Sequence, residues 1–166
     1  MKQPLETIGA TDIVDLPELK WYHVPVRVDS GAATSSIHCS KVRLVKNGEH
    51  ATLHFYLDTK KGAPQQSFSV DEFKETIVRN SSGKEEKRYV IKTQIKLFGK
   101  KIRTEFSLAN RRKMSYPILL GRKLLKNRFI IDVSQKDLSA NRRHSKQNND
   151  SRRSESKTDF DLPPQS

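Results

Sequence analysis

Residues 26–38 read Val-Arg-Val-Asp-Ser-Gly-Ala-Ala-Thr-Ser-Ser-Ile-His, an alternating pattern that runs directly into a carboxylate, a hydroxyl and a glycine. Apolar and polar residues alternate as far as Val28, which predicts a β-strand. Asp29 then lies at the end of that strand, where rigid backbone supports its carboxylate. The tripeptide alone is weak evidence for a catalytic site, because an Asx turn that ends a strand has the same residues.

A second segment, residues 116–122, reads Tyr-Pro-Ile-Leu-Leu-Gly-Arg and contains an uninterrupted apolar run that ends in glycine. A strand without a polar face is typical of the interior of a sheet rather than of its edge. The sequence after it predicts a helix of one or two turns over residues 122–126 and a closing strand over residues 129–133.

The rest of the first 133 residues also consists of short strand patterns separated by turn residues. Alternating segments flank the Asn47-Gly48 and Gly99-Lys100 turns, which predicts two hairpins. A third hairpin is predicted to project at residues 76–91, with a polar tip at residues 80–86. Strands at this spacing indicate a mainly β fold, a sandwich or a closed barrel.

Composition divides the 166-residue chain into two parts. Only 34% of the residues are hydrophobic, and residues 134–166 show no apolar periodicity, so we expect one domain over residues 1–133 and a disordered, charged tail over residues 134–166. The chain shows neither an apolar run long enough to cross a bilayer nor a signal peptide at Met1, and a cytoplasmic protein is expected.

The net charge is +13, which favours an acidic partner such as nucleic acid, a membrane surface or an acidic peptide. Residues 134–166 hold seven Lys or Arg and five Asp or Glu, a net charge of +2, which leaves +11 for the first 133 residues. The basic character therefore belongs to the part that is predicted to fold.

The loop and the distant apolar strand, with a hairpin between them, resemble the retropepsin-like aspartic peptidases. The similarity is greater to a bacterial branch often labelled "ATP-dependent zinc protease", whose members accompany RimK-type ATP-grasp glutamate ligases. That branch carries Val-Asp-Thr-Gly-Ala-x-Thr-Ser-x-x-His, and residues 28–38 here match it with Ser30 in place of Thr and Ala33 where Arg is frequent. Further similarity lies at residues 15–19, 81–83, 110–114, 118–122 and 129–133.

The resemblance implies a closed acid-protease barrel in which Asp29 is catalytic. The aspartic mechanism needs two carboxylates that share one water and one proton, and the chain has one Asp-Ser-Gly and is too short for two lobes. The second aspartate is therefore expected to be Asp29 of another subunit, in a homodimer. The residues expected to support the active-site loop are Ser30, Gly31, Ala32, Thr34, Gly121 and Arg122.

The hairpin tip is implied to be a flap that binds the substrate and excludes water. The expected flap residues are Arg79, Asn80, Ser81, Ser82, Gly83 and Lys84. Basic residues on or beside the flap, including Lys87 and Arg88, favour an acidic substrate. The implied substrate is a poly-glutamate extension or another acidic segment, with a ribosomal protein as one candidate carrier. A solvated basic hairpin gives the same pattern of charges.

One alternative from another functional class stays open. A basic β-barrel without catalysis could bind RNA or a ribosomal or acidic protein, but such modules interleave exposed aromatics with basic residues, and Phe55 and Tyr56 lie in a strand pattern typical of a core.

A zinc enzyme is not favoured, and no metal or cofactor is expected. His50 and His54 would lie about 13 Å apart on a strand. His38 is interpreted as a hydrogen-bonded structural residue, and Cys39 as a packed thiol.

Overall fold

The strands follow from alternating segments whose apolar faces turn inward. The computed structural model describes residues 3–59 and 62–158, with side chains as far as residue 155. The strands are β1 (Glu6–Ile8), β2 (Thr11–Leu16), β3 (Trp21–Val28), β4 (Ser35–His38), β5 (Lys41–Asn47), β6 (His50–Leu57), β7 (Gln66–Val70), β8 (Lys74–Arg79), β9 (Glu85–Leu97), β10 (Lys100–Ala109), β11 (Ile118–Leu120) and β12 (Phe129–Ile131). A 3-10 helix covers Pro17–Leu19, and the α-helices are α1 (Arg122–Leu125) and α2 (Leu138–Thr158).

Six strands close into a barrel in the order β10, β4, β11, β3, β2 and β9, and β9 pairs back to β10. β8 extends the sheet beyond β9, while β5, β6 and β7 form a separate antiparallel sheet. A parallel pair of β1 and β12 completes the strands. The predicted mainly β, closed-barrel fold is confirmed.

The core fills the barrel and continues beneath the three-stranded sheet. Phe106 on β10 and Phe55 on β6 are both fully buried and belong to one apolar cluster. Phe55 also stacks on Phe68 with ring centroids 5.6 Å apart. Phe55 is thus a core residue, as its strand pattern predicts, rather than an exposed platform for bases.

The expected hairpins and the short helix are present. β5 and β6 pair around Asn47 and Gly48, and β9 and β10 pair around the Gly99-Lys100 turn. β8 and β9 form the projecting hairpin. The apolar strand β11 lies between β3 and β4 in the interior of the sheet, as its uniform composition predicts.

The prediction that the chain is disordered from residue 134 needs correction over residues 134–158, which form a turn followed by α2. The cause is tertiary rather than local. The buried carboxylate of Asp12 on β2 accepts the backbone N–H groups of Ser139 and Ala140, at 2.9 and 3.1 Å, and so caps the helix from outside it. The guanidinium of Arg142 lies over the Phe98 ring and pairs with Glu6.

Beyond these first turns most of α2 is exposed. The predicted disorder of residues 159–166 lies outside the described residues. No helix in the described part of the chain combines the length and apolar character that a membrane span requires.

Candidate active site

The loop after β3 holds Asp29 through its own backbone. The Asp29 N–H donates to the carbonyl of Leu120 at 2.9 Å, which ties the start of the loop to β11. The Gly31 N–H donates to Asp29 Oδ1 at 2.9 Å. This contact is the Asx turn that the sequence allows, and it orients the half-buried carboxylate without covering it.

Gly121 lets β11 pack directly against this loop. A Cβ atom at residue 121 would lie 2.7 Å from the backbone carbon of Thr34 and 2.9 Å from the carbonyl oxygen of Ala32. The Gly121 N–H donates to Ser35 Oγ at 2.9 Å. Only a residue without a side chain allows this approach, because real Cβ atoms do not come within 3.0 Å of backbone.

The helix α1 fixes the other side of the loop. The Arg122 N–H donates to the carbonyl of Ala32 at 2.8 Å, and its guanidinium Nη1 donates to the carbonyl of Ser30 at 3.0 Å. The Lys123 N–H donates to the carbonyl of Ala33 at 3.1 Å. The structure therefore brings together Asp29, Ser30, Gly31, Ala32, Thr34, Gly121 and Arg122, the loop residues that the sequence singled out.

Asp29 and Ser30 open into a cleft of about 410 Å³. Besides Val28, Asp29 and Ser30, the residues that line the cleft are Arg27, Arg111, Lys113, Met114, Ser115, Tyr116 and Leu119. Sequence reasoning missed this lining. Arg27 could have been found, because it lies two residues before Asp29 on β3 and so points to the same face. Residues 111–116 belong to the loop between β10 and β11. Only the family resemblance of residues 110–114 pointed to this loop, because a local pattern does not show which strand a loop folds onto.

His38 and Arg111 connect the second strand of the site to this loop. The Arg111 backbone N–H donates to His38 Nδ1 at 2.7 Å. Burial lowers the pKa of His38, and the Asp58 carboxylate, 3.8 Å from Nε2, opposes that shift. His38 is therefore a neutral acceptor that holds the loop, in line with its interpretation as a structural residue.

The hairpin of β8 and β9 places the expected flap residues at an exposed tip. The Asn80 carboxamide oxygen accepts the N–H groups of Ser82 and Lys84, at 3.1 and 3.0 Å, which shapes the tip. Arg79, Asn80, Ser81, Ser82, Gly83 and Lys84 do not line the Asp29 cleft of the described chain. Their role as a flap stays a prediction.

Carboxylates on the same hairpin pair with three of its cations. Arg79 contacts Glu85 at 3.1 Å, Lys87 contacts Glu75 at 3.0 Å and Arg88 contacts Glu86 at 3.1 Å. The hairpin is consequently less positive than its lysines and arginines suggest, and the argument for an acidic substrate cannot rest on it.

Among the residues that the structure describes, no group of three or more His, Cys, Asp or Glu side chains lies close enough together to hold the zinc that the family label mentions. His50 and His54 lie on one strand, and His54 Nδ1 contacts Ser69 Oγ at 2.9 Å. His38 Nδ1 is occupied by a backbone N–H. Burial raises the pKa of the Cys39 thiol, which disfavours the thiolate that a metal or a nucleophilic mechanism needs.

Asp29 is the one carboxylate among the described residues that line the cleft. A single carboxylate can act as a base toward water but cannot donate a proton to the scissile carbonyl oxygen in the same step. A second acid is needed for peptide hydrolysis by the aspartic mechanism.

Comparisons with known proteins identify a family and several relatives of this chain. Residues 7–142 match the RimB-like family, described as "Retropepsin-like aspartic endopeptidase RimB". A probable alpha-L-glutamate ligase of Shewanella pealeana (strain ATCC 700345 / ANG-SQ1) is 35% identical over 133 residues, which cover 77% of this chain and 28% of the relative. One from Desulfotalea psychrophila (strain LSv54 / DSM 12343) is 35% identical over 130 residues, which cover 75% and 27%.

The chain thus spans little more than a quarter of the length of these curated relatives. A solved structure shares the fold: protein Lpg0085 with unknown function (DUF785) from Legionella pneumophila subsp. pneumophila str. Philadelphia 1. Its TM-score is 0.65 at 23% identity, with 80% of this chain and 97% of that chain covered.

The family match includes the Asp29 loop, β11, the projecting hairpin and the first turn of α2. It confirms the family expected from the motif order, and it extends past residue 133 into the helix that the sequence did not predict. The chain belongs to the RimB-like family of retropepsin-like aspartic endopeptidases.

Proposed function

We propose that this protein is an aspartic peptidase whose active site forms from two Asp29 carboxylates across a homodimer. The observation that carries the proposal is the half-buried Asp29, held by the Gly31 N–H at 2.9 Å and open to a cleft of about 410 Å³. A carboxylate at a strand end with rigid support and open access suits a catalytic base. The family match supports the reaction class.

The second carboxylate in this proposal comes from symmetry. A two-fold axis beside the loop would bring each Asp29 against its counterpart, so that both subunits contribute the same residue. Ser30 is exposed on this loop and free to hydrogen bond across the axis. Closely spaced like charges split the titration of the pair, and at working pH the two carboxylates share one proton.

Hydrolysis then needs no covalent intermediate. The ionised Asp29 takes a proton from the bound water, whose oxygen attacks the scissile carbonyl carbon. The protonated Asp29 of the other subunit donates its proton to the carbonyl oxygen, which gives a gem-diol. The first Asp29 then passes the proton it took from water to the amide nitrogen, the C–N bond breaks, and the other Asp29 takes a proton from a gem-diol hydroxyl, so that the products are an amine and a carboxylic acid and the pair again shares one proton. The β8–β9 hairpin would close over the substrate and exclude water during these steps.

The substrate proposed is an acidic peptide, such as the poly-glutamate extension of a glutamylated ribosomal protein in the cytoplasm. The net charge of +13 favours such a partner. Relatives named probable alpha-L-glutamate ligase match this chain over about a quarter of their length, which suggests a functional association between a ligase and a peptidase of this fold.

The test is cleavage of a poly-glutamate-tailed peptide by wild type and by Asp29→Asn, each with and without a metal chelator. Asn keeps the shape and the Gly31 contact but cannot serve as a base. We expect wild-type cleavage that survives the chelator and is lost at least about 1,000-fold in Asp29→Asn.

Activity that persists in Asp29→Asn and disappears with the chelator would overturn the aspartic mechanism. Absence of cleavage of any acidic peptide by wild type, together with tight binding of RNA, would favour the non-catalytic basic barrel instead.

A further inference from the structure

Arg111 is held in a fixed orientation at the edge of the Asp29 cleft. Its Nε donates to the carbonyl of Tyr116 at 3.3 Å, and its Nη1 donates to Ser36 Oγ at 3.5 Å. Its backbone N–H is anchored on His38. Backbone and β4 therefore orient the planar guanidinium, and none of its hydrogen bonds among the described residues is to a carboxylate.

This orientation leaves the cation without an ionic partner. Within the described part of the chain no ion pair joins Arg111 to Asp or Glu, in contrast to the paired cations of the β8–β9 hairpin. Burial, and after it the neighbouring Arg88 charge, lowers the pKa of Arg111, while the Asp29 carboxylate opposes this. The surroundings of Arg111 thus disfavour its positive charge when it is unpaired. A bound anion would stabilise that charge.

Two further cations line the same cleft. Arg27 and Lys113 are exposed there and form no ion pair within the described residues. With Arg111 they give three positive charges around the one carboxylate of Asp29. Such a cleft attracts carboxylates, and a fixed guanidinium can bind one through two parallel hydrogen bonds.

We propose that Arg111 is the residue that selects acidic substrates, by binding a substrate carboxylate beside the scissile peptide bond. This inference rests on the proposed peptidase function and adds a specificity residue to it. Arg27 and Lys113 contribute long-range attraction, whereas Arg111 contributes direct contact. The carboxylate is either a glutamate side chain or the α-carboxylate at the end of the peptide.

The test compares four peptides of one length: glutamate-rich and glutamine-rich, each with a free or an amidated C-terminus. The enzymes are wild type, Arg111→Gln, Arg111→Lys and the control Arg112→Gln, which removes the same charge from a neighbouring residue that does not line the cleft. Full-length protein is used throughout, and circular dichroism verifies folding.

In Arg111→Gln we expect kcat/KM on the preferred acidic peptide to fall about 10- to 100-fold, mostly through KM, with less than about a two-fold change on its uncharged counterpart. Arg111→Lys should keep part of the preference for acidic over uncharged peptides. Lysine keeps the positive charge but lacks the planar guanidinium that donates two parallel hydrogen bonds. Arg112→Gln stays within about two-fold of wild type. If kcat/KM falls only on the glutamate-rich peptides, the bound carboxylate is a glutamate side chain. If it falls only on the peptides with a free C-terminus, the bound carboxylate is the α-carboxylate.

Equal losses on charged and uncharged peptides would overturn the proposal, because they would assign Arg111 a structural role. A binding measurement separates this outcome from failure of the peptidase function. In the Asp29→Asn background, calorimetry of the glutamate-rich peptide should show a dissociation constant about 10- to 100-fold weaker when Arg111→Gln is added. Unchanged affinity would overturn the inference even if wild type cleaves no peptide.

Discussion

Gly121 is the residue whose substitution most directly tests how the loop is held. In Gly121→Ala the added methyl group meets backbone of Thr34 at 2.7 Å and of Ala32 at 2.9 Å, so β11 and the loop must move apart. We expect a loss of about 1–3 kcal/mol in the free energy of unfolding, measured by urea denaturation. Peptidase activity should fall by more than the loss of folded protein explains, because the Asp29 loop moves.

Gly48→Ala provides the contrast. Gly48 has a φ of +64° but nothing within 4 Å of an added Cβ. Only the cost of a left-handed backbone, about 1 kcal/mol, is expected there, with activity retained. Equal activity of the two variants would contradict the role assigned to Gly121.

His38 gives the site a dependence on pH that is separate from catalysis. Burial lowers its pKa below the ordinary value of 6.5, so the unfolded chain binds a proton more readily than the folded one. The stabilisation is complete above pH 6.5 and is lost as the pH falls from there through the folded pKa. The variant His38→Asn is the comparison. Its Asn side chain keeps an acceptor near the Arg111 N–H and does not titrate.

The expected result is a wild-type free energy of unfolding that drops more than that of His38→Asn between about pH 7.5 and about pH 5.5. Urea denaturation at both pH values measures it. Parallel pH dependence in the two proteins would show that His38 is not the group responsible.

At the residue scale, sequence reasoning found the groups that lie in one short motif or pack directly against it. Asp29 and Gly121 both stand where the motif order predicts. Arg111 was noticed only as part of a family pattern, because its contact with the cleft depends on how the loop after β10 folds back onto β4. A local pattern does not contain that information.

At the scale of elements, α2 depends on a partner far away in sequence. The Asp12 carboxylate is 1% exposed and accepts two N–H groups at the start of the helix. We expect Asp12→Ala to lower the free energy of unfolding by about 2–4 kcal/mol, because two buried donors lose a charged acceptor. Amide hydrogen exchange at Ser139 and Ala140 should accelerate as well.

Asp150→Ala is the matched control for that variant. Asp150 lies on the exposed part of the same helix, and its loss should change the free energy of unfolding by less than about 0.5 kcal/mol. If Asp12→Ala unfolds at the same urea concentration as this control, the helix does not depend on the Asp12 cap.

The strands were predictable and the long helix was not, because only the strands contain the periodic pattern of apolar residues that identifies them. β3, β9 and β10 carry their period-two pattern within themselves. α2 has no apolar stripe, and its first turns are stabilised by Asp12, Glu6 and Phe98. Its polar composition therefore resembles that of a disordered segment until the barrel supplies these contacts.

At the scale of the whole molecule, the net charge and the single carboxylate of the described cleft are the grounds for the proposed acidic substrate and the proposed dimer. The amino-acid composition alone gives the net charge of +13. The sequence does not indicate where that charge acts, because ion pairs neutralise much of the hairpin and leave the cleft cations unpaired. Only the folded arrangement separates the two groups.

The proposed pair of Asp29 residues makes a quantitative prediction about mixed subunits. Suppose a constant amount of wild type exchanges subunits with an added equal amount of Asp29→Asn, and only dimers with two aspartates cleave. Activity then falls to about half, and to about a tenth with a nine-fold excess, because wild-type subunits are increasingly paired with inactive ones. If one Asp29 suffices, the added protein leaves activity unchanged.

The measurement is the initial rate of peptide cleavage after overnight mixing. As a control, added Asp150→Asn, which keeps Asp29, should raise the rate instead. A flat response to Asp29→Asn, with subunit exchange verified by mass spectrometry of differently tagged chains, would mean that the acid partner of Asp29 lies within its own chain.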